Sequence, residues 1–205
     1  MTTAITLPLD SLSAHELYPF AWSEIEREVL RRQTLGAQQA LQEFLGETVE
    51  QDVHGIEDLH HVAVYLGDYT DDRDVEIWHR FLLELKAQGT LSKVQYGPSY
   101  VAPKYYGTQG WWFSLERAEG LSVEVFCCRH HGRWSRYKPE QRYRLMSHAA
   151  VSVSTADGVE RALSALTSQL GVKMLMHTVE DELGHTYGHL LNETTLCVLE
   201  LVHQG

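Results

Sequence analysis

No stretch of the chain approaches the roughly 18 uninterrupted apolar residues that a membrane-spanning helix needs, and the opening residues, Met1 to Pro8, show no basic segment leading into an apolar one. The expectation is a protein that neither spans a membrane nor is exported across one. Cysteine is scarce: there are three, and two of them are adjacent, Cys127 and Cys128. That is not the even, spaced set of a secreted disulfide framework, so the cytoplasm is the expected compartment. Positive charge is also short, with 17 Lys and Arg against 28 Asp and Glu, a net charge of -11 and a pI near 5.5. Nucleic acid or an anionic membrane would be repelled by the molecule as a whole, which leaves a small molecule as the expected partner.

What is present is enough apolar material, 43% of 205 residues, to bury a core as one domain or two small fused modules. Residues 1–57 carry helical signals. Trp22, Ile25 and Val29 recur at helical spacing among charged residues, and Ala37, Leu41 and Leu45 repeat the pattern after Gly36, predicting two short amphipathic helices. From Leu59 the period changes to two, which predicts a strand over 59–68. A helix capped by Asp71 or Asp72 follows, with Val75, Trp78, Leu82 and Leu85 on one side and Gly89 at its end. Strand signals return over 91–96, 110–115 and 121–128, with Glu119 and Gly120 at a hairpin turn.

The same order then starts again. The segment beginning at His148 can be laid on the one beginning at His61. A capping region at Thr155 to Asp157 leads to a helix striped by Val159, Leu163, Leu166 and Leu170, Gly171 ends it, and strands fit 172–179, 185–191 and 195–203. Each half opens on a histidine and closes on a glutamate inside an apolar strand, Glu124 in the first and Glu200 in the second. The predicted organisation is a helical extension over 1–57, a strand-helix-three-strand module over 58–128, a basic linker over 129–145 and a second such module over 146–205.

Two tandem βαβββ modules with this histidine and glutamate pattern resemble the vicinal oxygen chelate superfamily, which includes glyoxalase I, methylmalonyl-CoA epimerase, fosfomycin-resistance proteins and extradiol dioxygenases. The resemblance covers about residues 58–204 and implies an α+β fold in which the paired modules form a half-barrel around one metal. His60 and His61 must be told apart. Side chains alternate along a strand, so His60 falls with Val62, Val64 and Leu66, the set expected to face the helix, and His61 falls on the site-lining face. By the same parity His148 lies with Ala150 and Ser152. Glu124 and Glu200 sit where alternation buries a carboxylate, which requires neutralisation, an arginine from the linker or a cation. The predicted metal set is therefore His61, Glu124, His148 and Glu200, a donor mixture suited to one Zn, Ni, Co, Mn or Fe(II) ion.

The resemblance implies metal-dependent chemistry on a small oxygenated substrate through an enolate-like intermediate, as in lyases and isomerases of the glyoxalase or epimerase kind, with Glu124 or Glu200 as the base. An Fe(II) dioxygenase built on His61, His148 and Glu200 is the alternative, and a non-catalytic small-molecule binder is a third reading. The substrate, the native metal and the choice between monomer and homodimer are not legible. Other groups are open. The linker arginines can meet an anionic substrate or simply pair with surface acids, and His130, His131, His185 and His189 can enter the site without the sequence saying which do. Trp111, Trp112 and Phe113 are either a pocket wall or core, and Cys127 and Cys128 are read as core rather than as nucleophiles.

Overall fold

The computed structural model describes residue 9 and residues 11–46, 55–181 and 184–205; the remainder of the expected N-terminal helical extension lies outside the described residues. A short 3-10 turn, His15–Leu17, leads into helix α1, Tyr18–Leu45, which is broken at Gly36 by a φ of 74° and a ψ of -178°. The two predicted helices are thus the two limbs of α1. Trp22, Ile25 and Val29 are buried on the first limb and Ala37, Leu41 and Phe44 on the second, where Phe44 takes the buried position in place of Leu45.

The chain divides into two compact units, residues 1–30 with 63–146 and residues 31–62 with 147–205. Strand β1, Ile56–Tyr69, contributes to both. In the first unit it is followed by α2 (Asp72–Ala87), β2 (Leu91–Pro98), β3 (Gly110–Arg117) and β4 (Ser122–Arg129), hydrogen-bonded in the order β2-β3-β4-β1. The second unit repeats the pattern with β5 (His148–Val153), α4 (Ala156–Thr167), β6 (Val172–Thr178), β7 (Thr186–Asn192) and β8 (Cys197–His203), in the order β6-β7-β8-β5. Each outer set of three strands is an antiparallel meander, and β8 runs parallel to β5. The predicted α+β fold of two βαβββ modules behind a helical segment is therefore observed.

The local causes are those the sequence displays. Asp71 caps α2 by accepting the Arg73 N–H at 3.0 Å, and Thr155 caps α4 by accepting the Gly158 N–H at 3.0 Å. The stripe Val75, Trp78, Leu82 and Leu85 is buried on α2, and Val159, Leu163 and Leu166 are buried on α4. Each large apolar side chain so placed contributes on the order of 1.5–3 kcal/mol relative to exposure. Leu170, the last member of the predicted stripe, is fully in solvent because α4 ends at Thr167. Within the described residues no helix is long and apolar enough to cross a membrane.

The basic segment after β4 is more ordered than a linker. It holds a 3-10 turn, Trp134–Arg136, and helix α3, Pro139–Met146, which the sequence did not announce because only Leu145 and Met146 of α3 are buried. Its anchor is Asp68 on β1. The buried Asp68 carboxylate accepts from Trp134 Nε1 at 2.8 Å, from the Tyr65 hydroxyl and from Arg142 Nη1, and it meets His130 Nδ1 at 2.6 Å. Arg129 in turn reaches Gln109 Oε1 at 3.1 Å and Asp72 at 3.7 Å. Of the two readings of the linker arginines, pairing with the protein's own acids holds for Arg142 and Arg129. The preceding residue, Gly67, is required by a close approach: at φ 151° a Cβ there would stand 2.5 Å from the carbonyl oxygen of Leu9, whose own N–H donates to Leu66 O at 2.7 Å.

Candidate metal centre

The site is built by strand register within the second unit. In the antiparallel β7–β8 pair His189 stands directly opposite Glu200, and in the parallel β5–β8 pair Ala150 stands beside Glu200. Directly opposite residues place their Cβ atoms roughly 4.5–5.5 Å apart on one face. Two residues before Ala150, and so on that same face, comes His148. The face of β7 is set by α4: Leu163 packs so closely on Gly188 that a Cβ there would stand 2.7 Å from its methyl groups. Alternation then turns Tyr187 and His189 to the other side, which settles the orientation that the sequence left open.

His61, from the early part of β1, completes the convergence. The Nε2 atoms of His61, His148 and His189 lie 3.1, 3.3 and 3.4 Å from one oxygen, Oε2 of Glu200. All four residues are buried, none more than 9% exposed. The rings meet edge to face, His61 with His148 at 5.8 Å between centroids and His148 with His189 at 5.3 Å. His148, His189 and Glu200 each offer a ligand atom, with all three atoms within 4.8 Å of one another.

Burial drives the pKa of His148 down to about 4, against the opposing pull of Glu200, so its imidazole is neutral at pH 7. Burial alone would raise Glu200, but the charges of His189 and His61 and hydrogen bonds from His148 and His189 outweigh it and hold the carboxyl well below the usual range. An ionised carboxylate beside neutral imidazole is the protonation state a divalent ion requires of its ligands. The distances fit as well. An ion with bonds of about 2.1 Å to each donor would leave neighbouring donors about 3.0 to 3.4 Å apart, the edge of an octahedron or a tetrahedron. The donor set thus fits one divalent metal.

Methylmalonyl-CoA epimerases are among the solved structures to which this chain is similar. The Mycobacterium tuberculosis enzyme gives a TM-score of 0.43 at 12% identity, over 76% of this chain and 93% of that one. A Streptomyces coelicolor methylmalonyl-CoA epimerase variant in complex with 2-nitronate-propionyl-CoA gives 0.38 at 10%, over 73% and 96%. A hypothetical protein from Bacillus halodurans C-125 gives 0.36 at 14%, over 72% and 94%. At these values the likeness adds nothing to the strand order observed directly. No family model matches the sequence, and no curated protein matches it.

Of the predicted set, His61, His148 and Glu200 come together in one unit. Glu124 belongs to the other unit, half-buried on β4, where its cross-strand partner is Ser114. In the repeat, Ser114 therefore occupies the position that His189 holds in the second module. His60, which parity assigned to the helix side or solvent, is half-buried with Nδ1 2.8 Å from His61 Nδ1, and burial followed by the His61 charge lowers its pKa. The two rings meet edge to face at 5.1 Å between centroids.

The remaining candidates lie elsewhere. His130 rests on Asp68, His185 stands 3.8 Å from Asp181, and His131 lines a cleft of about 430 Å³ with Arg129, Gln109 and Pro103. Phe113 is fully buried and stacks on Tyr96, while Trp111 and Trp112 are half-buried. Cys127 and Cys128 are core residues whose thiols burial pushes up, away from nucleophilic ionisation.

Proposed function

We propose that this chain is a metal-dependent enzyme of the vicinal oxygen chelate type, acting on a small oxygenated substrate by moving a proton beside a carbonyl, as lyases and isomerases of the glyoxalase and epimerase kind do. The observation that carries the reading is the convergence of His61 and His148 on one oxygen of Glu200, from the positions that the internal repeat marks out. One divalent ion of the Zn, Ni, Co, Mn or Fe(II) group belongs there. When bound, it fixes positive charge where negative charge develops on two neighbouring substrate oxygens.

The protein's own groups divide the remaining work. Glu200, held ionised, would neutralise part of the charge of an ion that it holds together with His61 and His148. Glu124 occupies the equivalent place in the first module, inside Ser122-to-Phe126 as Glu200 is inside Val198-to-Val202. We assign it the proton transfer, or the fourth ligand position if its carboxylate binds the metal directly. The substrate carries a carbonyl or hydroxyl pair, and an anionic group on it would suit a metal centre that retains positive charge.

A second reading, an Fe(II) dioxygenase, draws support from one observation: His61, His148 and Glu200 meet within a single unit and form a two-histidine, one-carboxylate face. Solvent exchange separates the two. Metal-loaded protein in D2O, given a panel of 2-hydroxyketones and 2-methyl-1,3-dicarbonyl thioesters, is expected to wash deuterium into the carbon beside the carbonyl, and Glu124→Gln is expected to abolish it. Oxygen consumption with catechols and no exchange on any panel member would overturn the proton-transfer reading in favour of the dioxygenase.

A further inference from the structure

The sequence pairs the two modules symmetrically, one histidine and one glutamate from each, but the geometry is not symmetric. Opposite Glu200 stands His189; opposite Glu124 stands Ser114. A fold that needed only a filler at this position would accept serine in the second module as it does in the first. Instead a buried imidazole is present, and its Nδ1 has no hydrogen-bond partner among the described residues. Leaving such an atom unserved costs on the order of 1–3 kcal/mol, so the ring is retained for what its other nitrogen does.

That nitrogen, Nε2, points at the same Glu200 oxygen as those of His61 and His148. A carboxylate oxygen has two lone pairs, so three imidazoles at 3.1, 3.3 and 3.4 Å cannot all be served in its plane by hydrogen bonding. One cation among the four donors serves all of them. The rings of Tyr187 and His148 pack edge-on against His189 at 6.1 and 5.3 Å between centroids, which holds the imidazole plane without a polar anchor.

We infer that His189 is a metal ligand, so that the ion is held by Nε2 of His61, His148 and His189 and by Oε2 of Glu200, with every donor drawn from residues 31–62 and 147–205. The inference rests on the metal-site reading above and deepens it. Two consequences follow from charge and from role. Three neutral imidazoles and one carboxylate leave a divalent ion with a net charge of +1, whereas two imidazoles and two carboxylates would leave it neutral. The centre is then a stronger electrophile and favours an anionic substrate oxygen over a neutral one. As to role, His189 takes a ligand position that the internal repeat does not mark, and Glu124 keeps the assignment given above.

The test uses the full chain stripped with chelator and reloaded with Co(II). Affinity is read by competition with a chromophoric chelator, and the number of imidazoles by the multiple-scattering signal in X-ray absorption. The wild-type protein is expected to bind one Co(II) with three imidazole nitrogens. Both His189→Ala and the volume-conserving His189→Gln are expected to weaken binding at least about tenfold and to alter the visible d–d spectrum, while His15→Ala, at an imidazole that faces Asp74, leaves both unchanged. Two imidazoles on the wild-type ion, or His189 variants with unaltered affinity and spectrum, would overturn the ligand role while leaving the metal site standing. A wild-type chain that binds no Co(II) would overturn both readings. The imidazole count is made on wild-type protein, so the inference remains testable even if a variant fails to fold.

Discussion

The Asp68 cluster gives a prediction that can be worked from the structure. The side chain of Asp68 is 6% exposed and that of Arg142 is 12% exposed, so the pair is desolvated, and Trp134 and Tyr65 direct their donors at the same carboxylate. Asp68→Asn keeps the shape but removes the charge and turns an amide N–H₂ toward His130 or Arg142, leaving a buried guanidinium unopposed. Breaking a buried pair from one side costs about 3–5 kcal/mol. For a chain of this size roughly 2–4 °C of Tm accompanies each kcal/mol, so the expected loss is about 12 °C. Thermal and urea unfolding followed by circular dichroism read it directly; if the two units melt separately, the transition of the unit holding residues 63–146 is the one that moves. A double-mutant cycle with Arg142→Met should show a coupling of at least about 1 kcal/mol. A Tm within about 3 °C of wild type, or additive single effects, would refute the assignment of Asp68 as the anchor of the basic segment.

Acid should weaken the metal-free protein through His148. Its pKa is depressed to about 4 from 6.5, so the unfolded chain binds the proton more readily; the stability it contributes is present above pH 6.5 and is lost as pH falls toward 4. The upper bound is about 3 kcal/mol at 1.36 kcal/mol per unit, and Glu200, also depressed, adds loss in the same direction; urea midpoints of wild type and His148→Gln at pH 7 and 4.5 measure it, and equal pH slopes would count against it. Gly67→Ala should cost about 1–3 kcal/mol or more through positive φ and collision with Leu9, seen as a lower Tm; an unchanged Tm would mean that Leu9 is not held there. Cys128→Ser should leave the rate of any turnover intact and lower stability by about 1–3 kcal/mol, because it puts a hydroxyl in a fully buried place, whereas inactivation by a thiol reagent under native conditions would contradict the core assignment.

The fold was legible because its signals are local and repeated. Two helices capped by Asp71 and Thr155, and strands whose apolar residues alternate, announce themselves twice in the same order. Parity selected His61 and His148, whose Nε2 atoms lie 3.1 and 3.3 Å from Glu200 Oε2. Parity does not announce the contact of His60 with His61, whose Nδ1 atoms lie 2.8 Å apart. His189 was visible as a candidate but not as a site residue: deciding its face requires knowing that Leu163 of α4 lies on Gly188, a contact between residues 25 apart that no periodicity carries. Helix α3 was missed for a related reason. Its stabilisation comes from the neighbouring contacts of Arg142 with Asp68 and of Tyr106 with Leu145 rather than from an apolar stripe of its own.

The central claim, that His61, His148 and Glu200 hold one divalent ion, is tested most directly by equilibrium dialysis of chelator-stripped, tag-free protein against Zn, Co, Ni, Mn and Fe(II), with metal counted by mass spectrometry. The expected result is one ion per chain, tight for at least one of these metals, and lost in His61→Ala, His148→Ala and Glu200→Gln but not in His15→Ala, whose imidazole faces Asp74 at 3.4 Å. A stripped wild-type chain that takes up none of the five metals, or one whose uptake survives all three ligand substitutions, would contradict it.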